Sequence, residues 1–290
     1  MLRKACVAGQ FYSSNRGGLI TEIENCFKSD IGPNKLPEPL KPGSTDRFKG
    51  GVVPHAGYYY SGHEAAHTYL RMYELGLPDT VIIIGPCHRS FSDAEIGVYP
   101  GDGFETPFGV CDIDTDLASK IAGKRPFKFD ENVHCFEHSI EVQLPFLQYI
   151  YEKARKQLKI VPLCVADQGL DTALLAAGAI SEITGGLFEK KVALIASSDF
   201  SHYIPADVAR KIDRYAIDEI LRLDVEKMYE MIDKYDISMC GYGPITICIE
   251  SLRKLYDIEP TLLKYGSSGD VRPMPEVVGY AAISFELRQI

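Results

Sequence analysis

The chain has 290 residues, 46% hydrophobic and 24% charged, which suits a soluble globular protein with a large core. Its 31 Lys and Arg stand against 40 Asp and Glu, and the net charge of −9 excludes the broad basic footprint of a nucleic-acid binder. No apolar run approaches the roughly 20 residues of a membrane-spanning helix, so neither nucleic acid nor a membrane is an expected partner.

The N-terminal MLRKACVAGQFYSS has two basic residues but lacks the long apolar core of a signal peptide. The expectation is a cytoplasmic protein. Cys6, Cys26, Cys87, Cys111, Cys135, Cys164, Cys240 and Cys248 are scattered without a C-x-x-C pair, which favours reduced thiols over a disulfide framework. Residues 30–47, DIGPNKLPEPLKPGSTDR, read as a long surface loop, and no domain boundary is placed there. Beyond it, strands are expected at 50–54, 80–85, 94–99, 159–165 and 191–197, with two more near 259–265 and 277–286. Helices are expected over 61–75, 115–122, 137–151, 171–184, 206–222, 225–233 and 243–256. In the fifth of these, Val208, Ile212, Tyr215, Ala216 and Ile220 follow helical spacing. Near-continuous apolar strands such as VIIIG and VALIA imply burial on both faces, hence a mainly parallel or mixed sheet flanked by helices in a single α/β domain spanning 1–290.

Ligands of open α/β sheets sit outside the carboxyl ends of the strands. His55, His88 and His202 each follow a predicted strand by a few residues, and three of seven histidines at one sheet edge point to a shared site. Clustered neutral imidazoles suit metal binding, against the alternative of hydrogen-bonded loop residues. Cys240, in SMCGYGPIT, lies in a glycine-flanked turn before a helix, where a thiol tends towards a lowered pKa and a nucleophile or ligand role. A buried structural cysteine is the alternative.

Three further segments carry candidate chemistry. HEAAH at 63–67 matches a zinc-peptidase motif, but it also fits a helix start in which Ser61 caps and Glu64 closes a capping box. In HCFEHSIEVQLPFL, a helix would place Glu137 and Glu141 on one face, with His138 and Glu141 three apart. Those carboxylates would orient metal-bound imidazoles or supply an oxygen ligand, or else complement the helix dipole. In SSDFSHY, Asp199 and His202 would serve as orienting carboxylate and general base, or as a turn and its cap.

These motifs together closely resemble the Memo family, also called the B component of the AmmeMemoRadiSam system. The resemblance runs through RKACVAGQFY, PHAGYYYSG, GPCHR, ETPFG, EHSIEVQLPFL, SSDFSHY, CGYGP, YGSSGD and VGYAAISF, covering essentially the whole chain in order. It implies a fold similar to LigB-type class III extradiol dioxygenases, which are non-haem iron enzymes. It places the metal-site residues on His55, His88 and Cys240, with His202 as acid/base and Asp199 beside it. It implies one transition metal ion, iron or copper, with zinc a further option, and a functional link to a radical-SAM enzyme and an AMMECR-type domain. Extradiol cleavage uses two histidines and a carboxylate, so a thiol in third place argues against carrying that reaction over. Three readings remain open: metal-dependent redox or oxygen chemistry on a small molecule, a non-catalytic module binding a small-molecule or phosphopeptide ligand, and a metal-dependent hydrolase. Tyr58 would wall the pocket or pack in the core.

Overall fold

Strands with two apolar faces need cover on both sides, and four such segments form the centre of the sheet. Lys159–Val165, Thr80–Pro86, Val192–Ser197 and Phe48–Val53 lie side by side in that order, all parallel. Every residue of Thr80–Pro86 and Phe48–Val53 is buried. This computed structural model describes residues 1–39, 46–88, 92, 94–187 and 191–289; Arg89 of the GPCHR motif and 40–45 of the expected loop lie outside them.

Beyond Phe48–Val53 the sheet continues antiparallel with Val277–Leu287, which also pairs with Ile258–Ser267 and the short His202–Ile204. On the other side Lys159–Val165 pairs in parallel with Gly109–Ile113 and antiparallel with Ile96–Val98. Gly103–Thr106 and Leu2–Arg3 extend that edge, and Phe127–Phe129 joins Ile96–Val98. The result is a mixed sheet of 12 strands among the described residues, flanked by helices in a single α/β domain.

Thr115–Ala122, Leu170–Gly185, Ala206–Arg222, Val225–Tyr235 and Tyr242–Arg253 are helices close to their expected bounds. The helix expected over 137–151 begins only at Gln143, after irregular backbone at 137–138 and turns at 139–142. The local chemistry explains the delay: the Glu137 carboxylate accepts from Ser139 N at 2.8 Å, a side-chain-to-backbone bond that competes with helix. The helix expected from 61 begins at Tyr58, with Gly57 before it. Ser61 is therefore inside it, its hydroxyl donating to the Ala56 carbonyl at 3.0 Å, and the expected capping box is absent.

An unanticipated helix, Arg16–Lys28, has Asn15 as cap, its side chain accepting from Gly18 N, and buries Leu19, Ile23, Cys26 and Phe27. In Ala206–Arg222 the buried face is also rotated from the expected one. Ala209, Asp213, Ala216, Ile217 and Ile220 face inwards, whereas Val208 is exposed. Asp213 is tolerated there because its carboxylate accepts from Ser201 N, the Ser201 hydroxyl and the Tyr265 hydroxyl.

Candidate metal site

Because three parallel strands are neighbours, the segments that leave their carboxyl ends are neighbours too. His55 follows Phe48–Val53, His88 follows Thr80–Pro86, and Asp199 and His202 follow Val192–Ser197. Cys240 reaches the same edge from the turn before Tyr242–Arg253. One ligand atom from each of His55, His88 and Cys240 lies within 4.8 Å of the others.

The hydrogen bonds fix which imidazole nitrogens point inwards. The Ser197 hydroxyl donates to the Ser139 carbonyl at 2.7 Å and accepts from Gln143 Nε2 at 2.9 Å. Its contact with His55 Nδ1 at 2.8 Å must then be donated by the ring, which leaves the lone pair on Nε2. That Nε2 is 3.2 Å from Cys240 Sγ. His88 Nδ1 lies 3.0 Å from the acceptor-only Glu137 carboxylate, so His88 also presents Nε2. A second Glu137 oxygen accepts from His88 N at 2.6 Å, gripping the residue by ring and backbone together.

Burial, then the neighbouring His88 and His138, pushes the His55 pKa well below 6.5, which keeps the ring neutral and competent to ligate. Burial opposes protonation of His88 as well, but the Glu137 hydrogen bond and the negative charges of Glu137 and Asp199 together outweigh it, and the net shift is upward. Burial raises the Cys240 thiol well above its usual range, and nearby Asp199 adds to this, so the lowering expected from a helix start is overturned. The thiol receives Asp199 N at 3.2 Å, and its S–H proton shares with His55 Nε2 the space a cation would take. Two lone pairs with fixed tautomers and one displaceable thiol proton fit a metal ion.

Asp199 is buried, accepts from His55 N at 2.7 Å, and has its pKa raised by burial. It does not orient His202. The Ser238 carbonyl does so, accepting from His202 Nδ1 at 2.8 Å, while the Ser238 hydroxyl receives His202 N at 2.8 Å. His202 thus also presents Nε2, from a partly exposed position.

Glu137 and Glu141, expected on one helix face, diverge. Glu141 pairs with Arg3 across a fully buried contact and accepts from Cys6 N at 2.9 Å, Val7 N at 3.0 Å and the Tyr12 hydroxyl at 2.6 Å. It anchors the N-terminal segment instead of serving the metal group. His138 stacks in the imidazole cluster, its ring 4.7 Å from that of His88 and 5.4 Å from that of His55. Tyr58 is a packing residue: it is buried against Phe146, and its hydroxyl donates to the Val142 carbonyl at 2.7 Å. His63, Glu64 and His67 do not converge as a ligand group among the described residues. Glu64 is instead buried behind Gly266.

A family model for Memo-like proteins matches residues 3–284. The chain belongs to the Memo family. A MEMO1 family protein of Methanopyrus kandleri is 42% identical to it over 287 residues, 98% of this chain and 99% of the relative. A MEMO1 family protein of Methanothermobacter thermautotrophicus is 41% identical over 290 residues, covering 98% of this chain and all of the relative. One from Pyrobaculum aerophilum is 40% identical over 288 residues, covering 98% and 99%. This Memo-family chain therefore matches its relatives end to end, within the fold expected of it.

The residues that sequence reasoning missed are the orienting ones: Ser197, Gln143, Ser238 and Arg3. Gln143 ties the cluster together, giving Nε2–H to the Pro54 carbonyl at 3.0 Å while its Oε1 accepts from the Tyr69 hydroxyl at 2.7 Å. Only Ser197 carried a signal, as a polar residue ending an otherwise apolar strand.

Proposed function

We propose that this Memo-family chain is a metal-dependent enzyme performing redox or oxygen chemistry on a small molecule, with a transition metal ion held by His55 Nε2, His88 Nε2 and Cys240 Sγ. The observation carrying this reading is the convergence of those ligand atoms within 4.8 Å, with both histidine Nδ1 atoms already committed to Ser197 and Glu137. Two imidazoles and a soft thiolate suit copper, iron or zinc, and a redox-active ion there would supply electron transfer. His202, pinned through Nδ1 by Ser238, would exchange a proton with substrate through Nε2. Asp199 would hold the His55 backbone in place and add a buried acid next to the thiol.

The alternative phosphopeptide-binding module is less well supported. That module would use the same pocket as the metal group; the separate groove of about 1100 Å³ beside Phe11 and Tyr58–Tyr60, which does not include His55, His88 or Cys240, has Glu22 and no Lys or Arg among its lining residues. A phosphate group binds best to just those cations. Eight cysteines without a disulfide among them support a reducing compartment, the cytoplasm. No helix among the described residues is long and apolar enough to cross a membrane.

Metal content of protein purified anaerobically without a metal-binding tag, measured beside His55→Ala, tests the reading. Near-stoichiometric iron or copper, lost in the variant, supports it and directs an oxygen-uptake screen. Zinc alone would favour hydrolysis, and metal retained equally by His55→Ala and Cys240→Ser would sink the site.

A further inference from the structure

A second pair of reactive side chains lies directly behind the metal group. Cys164 is the last residue but one of Lys159–Val165, with Gly85 as its register partner on one side and Gly97 on the other. Cys87 follows Thr80–Pro86 by one residue, two positions after Gly85, and therefore falls on the face of the sheet that Cys164 uses. The two sulfurs and a Glu137 oxygen lie within 4.8 Å of one another, and the Cys164 thiol is hydrogen-bonded to Cys87. Cys87 is partly exposed and Cys164 fully buried, the arrangement of an attackable thiol with a resolving partner.

We propose that Cys87 and Cys164 form a reversible disulfide that displaces His88 and thereby switches off the adjoining metal site. Hydrogen peroxide oxidises Cys87 to the sulfenic acid and leaves as water. The Cys164 sulfur then attacks that sulfur, forming the S–S bond and releasing a second water, so that two thiols and one peroxide give one disulfide and two waters. A dithiol reductant reverses the change by thiol–disulfide exchange.

The mechanical consequence follows from which end can move. An S–S bond is about 2.05 Å long, so closure draws the sulfurs together by up to roughly 2.7 Å. Cys164 is held by strands on both sides and also points its thiol at the Val133 carbonyl, 3.7 Å away. Cys87 lies beyond the end of its strand, where its N–H donates to the Val165 carbonyl at 2.9 Å. The displacement is therefore taken up at Cys87 and passed to the next peptide unit, which carries His88. His88 N and Nδ1 are the groups that Glu137 holds, and both lose alignment when that unit shifts.

The effect on metal rests on the ligand set proposed above, but movement of His88 does not, and the test separates them. Metal-free protein is treated with hydrogen peroxide, alkylated, and digested without reductant for mass spectrometry. Histidine ring signals are followed by NMR in parallel, with those of His88 assigned from His88→Ala. A Cys87–Cys164 peptide that dithiothreitol removes, with reversible movement of the His88 signals, is expected. Zinc affinity should fall about tenfold or more on oxidation, the scale typical of a lost orienting partner. Cys87→Ser should keep zinc binding and lose the response to peroxide. Thiol consumption without that peptide, or a disulfide that leaves the His88 signals in place, would overturn the proposal. Zinc binding no better in the reduced protein than in His55→Ala would remove the metal reading alone, because the His88 signals still decide the switch.

Discussion

Glu137 and Glu141 stand four residues apart and look alike in sequence, yet replacing each by Gln should have different consequences. Glu137 accepts N–H groups on both oxygens: Ser139 N at 2.8 Å and His88 Nδ1 at 3.0 Å on one, His88 N at 2.6 Å on the other. An amide has only one acceptor oxygen, so in either orientation its NH₂ faces at least one of these donors. Leaving a buried donor unpaired costs about 1–3 kcal/mol of stability. Losing the partner of His88 Nδ1 frees the ring, and the expected fall in metal affinity is about 10–100-fold. In Glu141→Gln the loss is of charge beside the buried Arg3 guanidinium, worth about 3–5 kcal/mol of stability, while metal affinity stays at the wild-type value. Competition for zinc against a chromophoric chelator reads the first quantity, and urea unfolding reads the second. A folded Glu137→Gln that binds zinc like the wild type would refute the orienting role, as would equal affinity losses in the two variants.

Ser197→Ala should lower metal affinity by about tenfold or more in the same titration, because it removes the acceptor that fixes the His55 tautomer. His202→Ala should keep the metal and slow oxygen uptake with the identified substrate by a factor of about 10² to 10⁴; a change in affinity alone would mean a binder. Glu64→Gln gives a pH test. Burial raises the Glu64 carboxyl from 4.5 to about 8, so between those values the folded state keeps a proton that the unfolded chain has lost. Wild-type stability from this group is then unaffected below the lower value and falls as pH rises through the window, by an amount on the order of a few kcal/mol. The gain from Glu64→Gln in urea unfolding should accordingly be larger at pH 8 than at pH 5. An equal gain at both would contradict it.

The central strands were legible because their apolar runs are long and uninterrupted, and helices such as Thr115–Ala122 because their period is clean. Arg16–Lys28 escaped notice although Leu19, Ile23 and Phe27 repeat at helical spacing, since the Gly17–Gly18 pair at its start reads as a breaker. The start of Gln143–Ala154 was misplaced for a different reason. Spacing counts positions, whereas the non-helical segment 137–142 is set by carboxylates bonding to backbone groups up to 135 residues away. Periodicity holds no record of such bonds.

The ligands were legible and their orienting partners were not, and the difference is one of chemistry and distance. His and Cys are uncommon, and at the carboxyl ends of buried strands they have few structural uses. Glu137 was the exception, named as an orienting carboxylate from its motif, whereas Ser197 and Ser238 are ordinary residues whose roles come from partners 142 and 36 positions away. The same contacts bear on whether a carboxylate could complete a dioxygenase-like set with the two histidines. Glu141 is held by Arg3, and Glu137 by the N–H groups of His88 and Ser139, so moving either towards the metal group would strand buried donors. Asp199 is bonded by the backbone amides of His55 and Ala56, beside both His55 and the Cys240 thiol. Its carboxylate is engaged like the other two, and moving it towards the metal group would strand the amide that holds His55 in place, which leaves two imidazoles and a thiol as the donor set.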